Sequence, residues 1–292
     1  MDHWKHDRSR NIPSRRTILR GLAALGIAAV AISSMASSAS AQSLLERIKN
    51  GDTIRLGFSN GPPLAYPGPN NEPVGFVNAM TLDILKKLGT TKVEAVVAEW
   101  GSLIPGLKAG RFDIITGGMS ILPERCRNVL FSEPISSDKN SLIVLKGNPE
   151  GLHSVEDLRD KGLTIVLPAG SSAVKEVQDL GFADDKVMQV AGPPEMVQAV
   201  KAGRAAGGSL DHMTAVKALD NSVELADPFI STIPADHAAI VFPLNEQPAV
   251  DAFNAVLKDY LGSDEMLRSA GKYGYTKADL PDGTTTAQAC KG

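Results

Sequence analysis

The sequence predicts an α/β protein of two related units, each a largely parallel sheet covered by helices. From residue 42 onward, short apolar segments alternate with segments of helical periodicity, the βαβα order in which helices bury a parallel sheet. The string Leu107-Lys108-Ala109-Gly110-Arg111 has an echo in Val200-Lys201-Ala202-Gly203-Arg204, roughly ninety residues on, and each closes a helix just before an apolar stretch, as a repeated unit would. With 292 residues, 43% of them hydrophobic, the chain can build two cores.

The first unit opens with a strand over 53–58 and continues in a Pro/Gly/Asn-rich loop over 60–73. A helix over 76–88 places Met80, Ile84, Leu85 and Leu88 on one face. Residues 93–98 read as a strand, 102–109 as a helix closed by Gly110, and 113–116 as a strand. After a strand over 142–145, Lys146-Gly147-Asn148-Pro149 turns loop-like and a second set begins: helix 155–159, strand 163–167, helix 171–180, strand 187–190 and helix 195–202. A strand over 238–242 returns to the first unit and a helix over 248–261 follows it.

Ahead of these elements, residues 1–41 read as an export signal. Ser14-Arg15-Arg16-Thr17-Ile18-Leu19-Arg20 matches the twin-arginine consensus, an apolar run follows, and Ala39-Ser40-Ala41 supplies small residues for cleavage after Ala41. The run is shorter than the roughly 20 residues a membrane-spanning helix needs. No cysteine stands at the cleavage point to carry a lipid, so the expected location is the periplasm, with the protein free in solution.

The signal holds six basic and two acidic residues, so the rest of the chain carries 24 Lys+Arg against 31 Asp+Glu, a formal charge of −7 where the whole chain has −3. An acidic, unpatterned surface excludes nucleic acid and anionic membranes as partners. Cys126 and Cys290 are not in a metal-ligand spacing; in a compartment that permits disulfides they either pair, tying down the C-terminus, or stay free.

The chain carries no G-x-S-x-G elbow, no H-E-x-x-H and no phosphate-cradling glycine loop, and His153, His212 and His237 are scattered. No catalytic residue, metal site or cofactor is expected. Two features do suggest binding chemistry. Arg125 follows a glycine-rich strand end. Ser171 and Ser172 open a helix after Ala169-Gly170, where free N–H groups and the positive dipole end favour an anion; ordinary serine capping accounts for the same residues, and both roles can hold together.

The longest motif string is Trp100-Gly101-Ser102-Leu103-Ile104-Pro105-Gly106-Leu107-Lys108-Ala109-Gly110-Arg111-Phe112-Asp113, continued by Gly117-Gly118-Met119-Ser120-Ile121-Leu122-Pro123-Glu124-Arg125, by Val129-Leu130-Phe131-Ser132-Glu133-Pro134 and by Lys146-Gly147-Asn148-Pro149-Glu150-Gly151-Leu152-His153. It resembles the periplasmic amino-acid-type solute-binding proteins (family 3) of ABC transporters, and within them the ectoine/hydroxyectoine-binding group. The resemblance implies a two-lobed periplasmic-binding-protein fold of type II with two hinge strands. Lobe 1 would span 42–143 and 237–292, and lobe 2 would span 144–236. It further implies a monomer that holds a small zwitterionic ligand between the lobes and docks on an ABC permease in the inner membrane.

On that resemblance Arg125 forks onto the ligand carboxylate, a geometry its planar guanidinium suits. Asp211, with Ser120 and the carbonyl of Gly118, holds the ammonium group, and Trp100 offers it an aromatic face. Ser171 and Ser172 approach the carboxylate. Where the ectoine group carries a carboxylate and aromatic rings, this sequence has Gly61, Leu64, Trp100 and Ser120, and only Trp100 stays aromatic. Ser120 and Asp211 move the pocket toward the amino-acid pattern, in which Asn60 and Leu64 meet a side chain of modest size and mixed polarity. Two rival functions share the scaffold: a dehydratase acting on a cyclic acid, with Glu124 or Asp211 as general acid, and a partner that presents ligand to a membrane sensor.

Overall fold

A computed structural model describes residues 42–232 and 235–291; the signal expected over residues 1–41, with its twin-arginine motif and cleavage site, lies outside the described residues. The strands are β1 (Ile54–Phe58), β2 (Tyr66–Pro67), β3 (Pro73–Val74), β4 (Val93–Val97), β5 (Ile114–Ser120), β6 (Leu130–Phe131), β7 (Ser136–Asp138), β8 (Asn140–Leu145), β9 (Ile165–Pro168), β10 (Val187–Val190), β11 (Gly207–Asp211), β12 (Val223–Leu225) and β13 (Asp236–Phe242). They form two main sheets, ordered β4-β1-β5-β13-β6, with β7 also on β13, and β10-β9-β11-β8-β12.

In each sheet the strands joined through helices run parallel: β4, β1 and β5 in the first, β10, β9 and β11 in the second. The strands with which the chain enters one sheet from the other, β8 and β13, pair antiparallel to them. Side-chain alternation explains why both faces of each sheet are covered. Ile240 and Phe242 of β13 enter one core with Leu56, Phe58 and Phe76, while Ala239 and Val241 enter another with Leu103, Phe112 and Met119. Leu142 and Val144 of β8 likewise face Leu158 and Val177, and Ile143 faces Met196 and Val200.

The chain leaves the first sheet at Asp138 and enters the second at Asn140, earlier than the 143/144 boundary expected, because β8 already pairs there with Asp211. It returns between Leu225 and Asp236. Asp236 lies opposite Asp138, and Ala238 opposite Ser136, so the two crossing segments form an antiparallel pair at the hinge.

Most expected elements are present within one or two residues, and the helix Phe76–Leu88 and strand Val187–Val190 keep their expected bounds. Three differ for identifiable reasons. The strand expected over 113–116 continues to Ser120: Gly117 and Gly118 sit in it because a Cβ at Gly117 would lie 3.0 Å from the Trp100 ring, and Gly118 adopts φ +71° with Leu64 pressed on it. The helix expected over 102–109 is a 3₁₀ turn, Trp100–Ser102, followed by Leu103–Lys108. The loop over 60–73 folds back through a Gly61–Ala65 bridge and the β2–β3 pair.

Asp113 of the motif string has a structural role. Arg47 and Arg55 both grip its carboxylate, at 2.8 Å on Oδ1, and the Arg55 backbone N–H adds a bond of 2.8 Å. Burial pushes its pKa up, but the two guanidiniums outweigh burial and hold the carboxyl at about 2. The choice left open for the cysteines resolves to a disulfide between Cys126 and Cys290, across 164 residues of sequence, which ties the terminal helix Thr286–Ala289 to the first sheet's core.

Candidate functional site

The carboxyl ends of β1, β5, β9 and β11 and the hinge pair converge on one cleft between the two sheets, the place where open α/β sheets bind ligands. Its volume is about 570 Å³, the size of a small-molecule site. Asn60, Leu64, Trp100, Gly118, Ser120, Ser171, Ser172 and Asp211 all line it. Residues expected from separate stretches of sequence are thus brought together. Arg125 is the exception among the expected residues.

Arg125 lies behind the cleft wall and is 8% exposed. Its Nη1 donates to the Ser120 carbonyl at 2.9 Å in the first lobe, and its Nη2 donates to the Gly170 carbonyl at 2.8 Å in the second. Burial lowers its pKa, and the nearby carboxylates of Asp236 and Glu124 work against that fall. The Trp100 indole N–H reaches the same Gly170 carbonyl at 3.2 Å. Close backbone approach makes both contacts possible: a Cβ on Gly170, at φ +74°, would meet the Gly101 Cα at 3.1 Å. Arg125 and Trp100 therefore fasten one lobe to the other at the edge of the cleft.

Ser171 occupies the N-cap position of the helix Ser172–Asp179, yet its hydroxyl caps nothing. Its Oγ is buried without a hydrogen-bond partner, which is costly unless something else meets it. Of the two roles open to this serine, side-chain capping is not taken up. Ser172 Oγ donates to Asp236 Oδ2 at 2.5 Å, and Ser120 Oγ donates to the same oxygen at 2.8 Å.

Asp211 caps the helix His212–Ala218, its Oδ1 accepting the Thr214 N–H at 2.9 Å. Burial pushes its carboxyl up to about 6, reinforced by Asp138 and Asp236 and opposed by the Thr214 N–H. Glu176 accepts Asn140 Nδ2 at 2.7 Å, and burial, with Asp236 beside it, pushes its carboxyl up to about 7. Burial raises Asp138 as well.

Sequence reasoning missed Asp138, Asp236 and Glu176. Asp236 had a usable signal: it precedes Ala238 by two positions in β13, so the period of two puts both on the cleft side, and both line it. Starting the strand at 238 hid that. Glu176 gave no signal, since on a helix of mixed composition an acid reads as a solvated side chain.

Residues 54–276 match the family model "Bacterial extracellular solute-binding proteins, family 3". The probable amino-acid ABC transporter periplasmic-binding protein y4tE of Sinorhizobium fredii is 35% identical over 253 residues, covering 82% of this chain and 84% of that protein. Among solved structures, EhuB in complex with hydroxyectoine superposes with a TM-score of 0.76 at 31% identity, covering 85% of this chain and 97% of EhuB. An ancestral arginine-binding protein bound to arginine superposes with a TM-score of 0.67 at 26% identity, covering 76% and 98%. The chain therefore belongs to the bacterial extracellular solute-binding proteins of family 3 and has their two-lobed, type II periplasmic-binding-protein fold.

Proposed function

We propose that this protein captures a small zwitterion, an amino acid or an amino-acid derivative such as ectoine or hydroxyectoine, and delivers it to an ABC permease in the inner membrane. It acts as a periplasmic monomer after cleavage at Ala41, and as a binder without catalysis. The observation that carries this reading is the inter-lobe cleft itself. On one wall Ser171 Oγ, buried and unpaired, stands at the start of the helix Ser172–Asp179, where backbone N–H groups favour a carboxylate. On another wall the Asp211 carboxylate stands ready for an ammonium group. Both groups belong to the second lobe; a ligand held there that also meets Asn60, Leu64, Trp100 or Ser120 of the first lobe stabilises the lobe arrangement that Arg125 and Trp100 fasten, and the permease recognises that arrangement.

A thermal-shift screen of residues 42–292 against the proteinogenic amino acids, ectoine, hydroxyectoine and betaines tests this. A ligand at a hundred times its Kd stabilises the fold by about 2.7 kcal/mol, which for a chain of this size raises Tm by roughly 5–10 °C. A flat response across the whole panel would remove the proposal.

A further inference from the structure

The cleft carries more negative charge than one zwitterion can answer. Its formally charged lining residues are Glu99, Asp138, Glu195, Asp211, Asp236 and Asp279; no Lys, Arg or His is among them. Arg125, on which the field of Asp236 acts, is turned to two backbone carbonyls. At the hinge, Asp236 and Asp138 are direct cross-strand neighbours, a like-charged pairing that destabilises an antiparallel ladder. The field of Asp236 reaches Arg125, Glu176 and Asp211 alike.

Asp236 also uses Ser172, a donor that a ligand carboxylate would meet. Two of the hydroxyls lining the cleft, Ser120 Oγ and Ser172 Oγ, point to its Oδ2, and among the described residues no hydrogen bond falls on Oδ1. Among the described residues no group of three or more His, Cys, Asp or Glu is arranged to hold a metal ion.

We infer that Asp236, paired with Asp138 on the hinge strands, selects a ligand of net positive charge, one that brings an alkylammonium or guanidinium group to the hinge. The inference rests on the reading of the cleft as a solute-binding site and narrows its substrate class. Two sources offer that chemistry: a cationic amino acid, whose carboxylate goes to Ser171 and the helix start, or the corresponding amine without a carboxylate, for which Asp236 itself supplies the anion at Ser120 and Ser172.

Calorimetric titration of residues 42–292 with arginine, agmatine and citrulline tests it. Citrulline has the shape of arginine with a neutral urea in place of the guanidinium, and agmatine lacks only the carboxylate. Arginine or agmatine should bind on the order of 30-fold tighter than citrulline, as expected for a hydrogen-bonded charge pair. Asp236→Asn should shrink that ratio below about threefold, with a circular dichroism spectrum like the parent's showing that the variant still folds. Agmatine matching arginine assigns the anion to Asp236; arginine ahead of agmatine assigns it to the ligand. Citrulline binding as tightly as arginine, an unchanged ratio in Asp236→Asn, or a panel in which only neutral solutes bind overturns the inference while leaving the solute-binding reading intact. Absence of any ligand in the wider panel would remove that reading first.

Discussion

Arg125→Ala weakens ligand binding by on the order of 10- to 100-fold, because the lost side chain supplies a charge-assisted hydrogen bond between the lobes that contributes roughly 1.5–3 kcal/mol. That bond crosses from the first lobe to the Gly170 carbonyl of the second, so the loss falls on the closed arrangement. The Ser120 carbonyl, on the same lobe as Arg125, loses its partner whether the cleft is open or closed. Arg125→Lys is expected to recover little, since one ammonium on a flexible stem cannot reproduce a planar fork held between two carbonyls. Isothermal titration reads the affinity and circular dichroism confirms the fold. Parent-like affinity in the alanine variant would mean that the lobe-to-lobe bond contributes nothing to capture.

The second large effect is on pH dependence. The carboxyls of Asp211 and Glu176 lie at about 6 and about 7, raised by burial, so both are largely protonated at pH 5 and ionised at pH 8. A carboxyl whose folded pKa is raised stabilises the fold at low pH, and that contribution is lost as pH rises through the folded value. The unliganded protein is therefore expected to lose stability from these two groups between pH 5 and 8. An ammonium or guanidinium ligand favours the ionised form of Asp211, the one of the two that lines the cleft, so its affinity rises over the same window and binding near pH 6 releases protons to buffer.

Asp138 and Asp236 face Asp211 and raise it, the Thr214 N–H opposes them, and Asn140 donates to Glu176. Asp211→Asn should lower affinity at pH 8 by roughly 10- to 100-fold and flatten the pH profile. Titrations at pH 5, 6, 7 and 8, in buffers of different ionisation enthalpy, measure both affinity and proton release. An affinity that fell with rising pH would contradict the assignment.

The fold was legible because its signals are local. Strand and helix periods, the closing glycines and the repeated Lys-Ala-Gly-Arg string each involve residues near in sequence, and the helix Phe76–Leu88 could be bounded from its apolar face alone. What was hidden depends on residues far apart. Gly117 and Gly118 look like loop until Trp100 and Leu64 are seen pressing on them, which keeps the glycines in the strand. The carboxylates are a similar case. Asp138 and Asp236 are ordinary loop acids in sequence and become a charged pair only when the two hinge strands align. Arg125 was legible as a residue and not as a contact, because nothing in its neighbourhood predicts that Gly170 brings a carbonyl to it from the other lobe.

Capture of one small ligand, chemically unchanged, is what a solute-binding protein must show. Native mass spectrometry of residues 42–292, incubated with the proteinogenic amino acids, ectoine and their amine counterparts, measures both stoichiometry and mass. The prediction is one bound molecule per chain, with the mass of the compound supplied and no altered product in solution. A bound or released species of different mass would establish turnover and contradict the binding-protein account, as would a chain that retains nothing from the panel.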